Sequence, residues 1–209
     1  MQIEIYSDLV CPWCYIGRKR FETALSSRPE LHADVRWLPF ELNPHLDERG
    51  VDRTTYLAAK FGDAAQLEAM QRHIHEVGTP LGIAFRFDLI RRTPNTRAAH
   101  ALLAFAAESG RQDATMGALF HAYFEEGADI GDPKVLVAIG AAQGLDESRI
   151  RGALADRRHY PQILAHEQQA QQWGISGVPT FIFDRRYAIS GAQEPQMFLQ
   201  VFDRLRAAA

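Results

Sequence analysis

The chain has 209 residues, 46% of them hydrophobic and 23% charged, which suits one globular domain or one core with a sizeable insertion. Its net charge of −3, with Lys and Arg scattered, gives no electrostatic case for nucleic acid or an anionic membrane surface as a partner. No apolar run approaches the ~20 residues that a membrane-crossing helix needs.

Met1 leads directly into Ile3-Glu4-Ile5-Tyr6, whose alternation reads as a first strand over about residues 2–6. A secretory leader would need a basic segment, an apolar segment and a cleavage site ahead of the first strand, so the expected location is the cytoplasm. A helix follows from about Cys11 to Ser26 and stops before Pro29, because the residue before proline avoids helical geometry. Arg18-Lys19-Arg20 reads as the solvated face of that helix. Residues 33–42, with Val35, Trp37 and Phe40, read as a second strand parallel to the first through a right-handed crossover.

From about residue 52 to 173 the pattern is helical. Leu67, Met70, Ile74 and Val77 follow helix spacing, and Asn95 is the expected N-cap of a stripe of Ala99, Leu102, Leu103 and Ala106 that Gly110 closes. Met116, Leu119, Phe120, Tyr123 and Phe124 form another face, Asp132-Pro133 opens a helix that Gly144 ends, and Pro161–Trp173 is the last. Thr180–Phe183 and Tyr187–Ser190 form a hairpin around Asp184-Arg185-Arg186, and a closing helix runs from Glu194 to Arg206. The order β-α-β, helical block, β-β-α makes residues 1–50 plus 174–209 one α/β sheet domain. Residues 51–173 are the expected helical insertion, packed over the active site.

Cys11-Pro12-Trp13-Cys14 holds the only two cysteines of the chain. The pair reads as a redox dithiol, a zinc site or an inert disulfide, and the first reading leads. Zinc needs two further ligands, and no second C-x-x-C or H-x-x-x-H supplies them. A disulfide across so short a loop restrains the unfolded chain little. Cys11 stands at the mouth of the first helix, where free N–H groups and the dipole bring a thiol from ~8.5 into roughly the 3.5–7.5 range. It is therefore the expected nucleophile, with Cys14 one turn inside. Stabilising the Cys11 thiolate favours the reduced form, and Pro12 and Trp13 tune the effect.

Gly177-Val178-Pro179-Thr180 places a proline at a strand start, a common site for a cis bond; a plain trans turn is the alternative. The cis form would turn the Val178 backbone toward the dithiol, free to pair with an extended substrate. Asp8 and Glu41 read as surface caps or structural partners before proton relays, and His100 as packing or exposed. His73 and His75 fall on different helix faces, so metal capture there is not expected.

Five segments carry a family resemblance: residues Ser7 to Gly17, Phe40 to Pro44, Asn95 to His100, Gly177 to Phe181 and Ser190 to Gln193. With them the chain resembles the thioredoxin superfamily, its DsbA-like branch with a helical insertion, and within it the cytosolic FrnE-like proteins. The resemblance implies a thioredoxin-like fold, a cis Pro179, Cys11 as nucleophile and Cys14 as resolving thiol. It implies a thiol–disulfide oxidoreductase acting on protein or small-molecule disulfides, with no permanently bound cofactor and glutathione as the candidate co-substrate; monomer and homodimer both stay open. Some FrnE-like relatives carry an additional C-terminal cysteine motif; this chain has none, so a relay through a second dithiol is not expected. A glutathione-dependent isomerase of the polyketide type, or an isomerase or transferase of the 2-hydroxychromene-2-carboxylate isomerase or kappa class, is the alternative. Enzymes of the last two classes typically carry serine at the position of Cys11 and lack a resolving cysteine. A peptide-binding holdase is the third reading.

Overall fold

Branched and aromatic side chains on both faces make Gln2–Ser7 (β1) a buried strand in the computed structural model, which describes residues 1–207. Residues 208 and 209, the end of the expected sheet domain, lie outside the described residues. β1 pairs in parallel with Asp34–Pro39 (β2), Ile3 opposite Val35 and Ile5 opposite Trp37. On its other edge it pairs antiparallel with Thr180–Phe183 (β5), Ile5 opposite Phe181. The turn at Asp184 and Arg185, both with positive φ, returns the chain as Tyr187–Ser190 (β6), giving the sheet order β2-β1-β5-β6. Two consecutive residues in that region match the right-handed twist of a tight hairpin.

One face of the sheet is covered by Pro12–Ser26 (α1) and Pro195–Ala207 (α9). Phe21 of α1 lies 5.5 Å from the ring of Phe181 and 5.6 Å from that of Phe198 on α9, so three aromatics lock strand and helices together. Tyr160–Gln172 (α8) covers the other face, where Ala170 meets Tyr6, Leu38 and Ile182. Tyr6 OH donates to Gln169 Oε1 at 3.0 Å, which satisfies the one polar atom that strand buries there.

Between β2 and β5 the chain leaves the sheet. It forms Arg53–Phe61 (α2), Ala64–Gly78 (α3), a 3-10 turn at Thr79–Leu81, Arg97–Ala107 (α4), Gln112–Phe124 (α5), Pro133–Ala142 (α6), Glu147–Ala155 (α7) and then α8. Asp52, Asp63, Asp132 and Asp146 each cap a helix by accepting an early backbone N–H. The insertion shares the core of the sheet domain: Tyr15 of α1 stacks on Phe120 of α5 at 5.0 Å. Gln112 extends the edge of the sheet, its side chain accepting Trp37 N–H and donating to Trp37 O, both at 3.0 Å. An otherwise open β2 edge is thereby covered.

Three expectations change. The stretch from 52 to 173 is not helical throughout: Val51–Asp52 (β3) pairs antiparallel with Arg92–Thr93 (β4), and a non-helical segment leads into β4. Asn95 is not the N-cap of α4; Thr96 is, while Asn95 accepts Arg97 N–H and donates to Leu46 O, tying the loop after β2 to the helix start. Arg18 is not on a solvated face. It is buried, with Nη2 2.6 Å from Glu22 and 3.0 Å from Asp113, and these two carboxylates neutralise the charge that burial would otherwise disfavour.

Candidate active site

Cys11 is the N-cap of α1, with extended φ and ψ of −95° and 111°, and Pro12 takes the first helical position, where a missing N–H costs nothing. Cys11 O accepts Cys14 N–H at 3.0 Å, so the first turn stacks the two residues. Both are free thiols; Cys11 is 6% exposed and Cys14 is fully buried. Burial pushes the Cys14 thiol well above the ordinary cysteine range, and contact with Cys11 adds to this. The neighbouring Ser7 side chain and Asp8 backbone oppose the shift without reversing it.

The second loop arrives from 167 positions further along the chain. Cys11 Sγ lies 3.7 Å from Val178 O, its acceptor, and the Val178–Pro179 bond is cis. Pro179 is buried on α1 at Gly17, where an added β-carbon would stand 2.8 Å from Pro179 Cγ. Gly17 therefore sets how closely the proline loop approaches the dithiol. Trp13 projects from the other side of the pair onto the insertion, with His73 of α3 5.7 Å from its ring. His75 instead meets Phe85 and Phe87, on a different face from His73.

Asp8 and Glu41 are not surface groups. Asp8 is fully buried; its Oδ2 accepts Leu42 N–H at 2.7 Å, and its Oδ1 lies 3.5 Å from Nε2 of the buried His100. Glu41 accepts from Arg97 Nε at 2.7 Å. Burial raises its carboxyl above the ordinary range, with Arg97 opposing and Glu167 adding. These four side chains join the loops after β1 and β2 to α4, a structural frame behind the dithiol. Among the described residues, no cluster of three or more His, Cys, Asp or Glu side chains is placed to hold a metal ion.

In front of Cys11 a cavity opens under α2 and α3, lined in part by Arg53, Lys60, Thr93 and Tyr123. Sequence pattern singles out neither Arg53, Lys60 and Thr93 nor the Gly17–Pro179 contact, and it marks Tyr123 only as part of a helix face. Each depends on contacts between segments far apart in the chain, which no local spacing records.

A family model described as DSBA-like thioredoxin domain matches residues 2–203. A crystal structure of a probable DsbA oxidoreductase from Streptomyces coelicolor is 33% identical, covers 100% of this chain and 91% of its own, and superposes with a TM-score of 0.91. An uncharacterised Bacillus subtilis protein, YwbO, is 29% identical over 183 residues, which is 87% of this chain and 86% of that protein. The cytosolic disulfide reductase DsbM from Pseudomonas aeruginosa, solved with GSH, is 19% identical over 99% of this chain and 100% of its own, with a TM-score of 0.71; that likeness is one of fold.

Proposed function

The chain belongs to the DSBA-like thioredoxin domain family, and we propose that it is a thiol–disulfide oxidoreductase working through Cys11 and Cys14. The observation that carries this reading is the asymmetry of the pair. Cys11 caps α1 at the rim of a cavity, and Cys14 is buried one turn inside. A helix N-terminus favours negative charge, so Cys11 is the group suited to attack.

In the proposed cycle the Cys11 thiolate attacks one sulfur of a substrate disulfide. That S–S bond breaks, one substrate thiolate leaves and takes a proton from water, and a mixed disulfide joins Cys11 to the remainder. Cys14 then gives up its proton and attacks Cys11 Sγ, releasing the second substrate thiol. The substrate gains two electrons and the protein holds a Cys11–Cys14 disulfide. In reverse, the same steps oxidise a dithiol. Val178 and Pro179 form the substrate-facing wall in this reading, and Pro12 and Trp13 tune the pair.

Glutathione is the proposed small-thiol partner and the cytosol the proposed setting, in keeping with the DsbM relative, which is described as cytosolic and was solved with GSH. An isomerase of the glutathione-dependent kind needs no resolving thiol, and the presence of Cys14 beside Cys11 favours exchange over that alternative.

Trapping tests the assignment. Cys14→Ala should accumulate a mixed disulfide at Cys11 when mixed with glutathione disulfide, while Cys11→Ala should not. Equal trapping by both variants would contradict the division of roles, and no adduct in either would contradict the reading itself.

A further inference from the structure

The cavity beside Cys11 has a volume of about 150 Å³ and an apolar wall formed by Leu57, Leu67, Met70, Ile74, Phe87 and Phe124. A void of about 150 Å³ with such a lining accommodates a benzene-sized group. Its charge is of one sign. Arg53 and Lys60 contribute to the lining and no aspartate or glutamate does, in a chain whose net charge is −3.

Neither cation is neutralised by a carboxylate among the described residues. Arg53 Nη1 donates to Tyr123 OH at 3.2 Å, and its guanidinium lies 5.9 Å from the centre of the Phe87 ring. Lys60 Nζ donates to Tyr56 OH at 2.9 Å. Thr93, only 2% exposed, also lines the cavity, and its Oγ1 has no hydrogen-bond partner among the described residues. A partly buried guanidinium without a counter-charge and a buried hydroxyl without a partner are each costly. An anionic ligand would relieve both.

We propose that this cavity selects a low-molecular-weight disulfide in which one half carries an aryl-sized apolar body and a carboxylate. The ring fills the apolar wall, the carboxylate meets Arg53 and Thr93, and the sulfur lies at Cys11. This rests on the oxidoreductase reading and names its substrate class. The Cys11 thiolate attacks the sulfur of the aryl half, the other half leaves as a thiolate and takes a proton from water, and Cys14 gives up its proton and displaces the aryl half, so the disulfide is reduced to two thiols as the protein dithiol is oxidised. The acceptor disulfide is the only co-reactant needed for that turnover.

The test uses the reduced full-length protein with four disulfides: para-dithiodibenzoic acid, its neutral bis-carboxamide, glutathione disulfide and cystamine. Each rate is divided by the rate of free cysteine with the same disulfide, which removes intrinsic reactivity. The diacid should exceed the bis-carboxamide by about tenfold, the factor that about 1.4 kcal/mol of a charge-assisted contact gives. It should also exceed glutathione disulfide. Arg53→Gln should bring the diacid-to-carboxamide ratio close to one, and Arg53→Lys should restore most of it. Leu67→Trp, which fills the cavity, should lower the ratio of aryl disulfides to cystamine.

Equal corrected rates for the diacid and the bis-carboxamide, or an unaltered ratio in Arg53→Gln, would overturn the pocket assignment while leaving the oxidoreductase reading in place. Reaction with none of the four disulfides would overturn the oxidoreductase reading, and the pocket assignment with it.

Discussion

A β-carbon on Gly17 would stand 2.8 Å from Pro179 Cγ and 3.4 Å from the Phe181 ring, closer than the packed proline loop can accept without moving. Gly17→Ala should therefore leave the protein folded but less stable by about 1–3 kcal/mol, the usual cost of overpacking. Because the displaced loop carries Val178, disulfide exchange at Cys11 should slow by roughly tenfold to a hundredfold. Stopped-flow exchange alongside denaturant unfolding checks both numbers, and exchange at the native rate would show that the loop does not shape the reaction. Cys14 makes a second demand on the chemistry. Its burial disfavours the thiolate. The protonated thiol is inert, so the resolving step should rise about tenfold per pH unit from pH ~7 and continue past the ordinary thiol value of ~8.5. Following the second thiol released across that range tests this; a plateau below pH ~8 would contradict it. The cysteines, Pro12, Trp13 and Pro179 are legible in the sequence because their chemistry is compressed into two short motifs. Gly17 is not, since its partner is brought to it only by the β1–β5 pairing.

Two contacts of α1 hold the insertion against the sheet domain. Arg18 reaches Asp113 of α5, and Tyr15 OH donates to Glu125 Oε1, just beyond the end of α5, at 2.7 Å. Burial pushes Glu125 up, but donation from Tyr15, the Ala84 N–H and His121 together holds it below the ordinary carboxylate range. A carboxylate with a depressed folded value adds stability above its unfolded value and loses it as the pH falls through the folded one. Tyr15→Phe should thus cost about 1–2 kcal/mol at neutral pH, and the gap to the native protein should close as the pH drops below ~4. Denaturant melts at several pH values measure it; a gap independent of pH would assign the loss to packing on Phe120 instead. At this scale the sequence is informative where caps and periodicity are strong, as at Asp132-Pro133 and Gly144. It is silent for β3 and β4, because a two-residue strand has no period. Arg18 is misread for a related reason: Glu22 at the next helical turn is visible, but Asp113 is 95 positions away.

At the scale of the molecule, the chain leaves the sheet after β2, builds the helices and re-enters at β5, and one hydrophobic core runs through both parts. This topology sets the dithiol between two kinds of wall. The proline loop precedes β5, and much of the cavity wall comes from α2 and α3. The departure from the sheet and the return to it are readable from the order of predicted elements, whereas the cavity is not, since helical periodicity shows that a face is apolar without showing what it faces. The proposed cycle requires Cys11 and Cys14 to act as one two-electron pair. Reduced native protein mixed with a slight excess of an aryl disulfide, with leaving thiol counted and the product mapped by mass spectrometry, decides this. Two thiols released per protein and a Cys11–Cys14 disulfide as the product are expected. One thiol released with a stable adduct at either cysteine, or no release at all, would contradict the cycle.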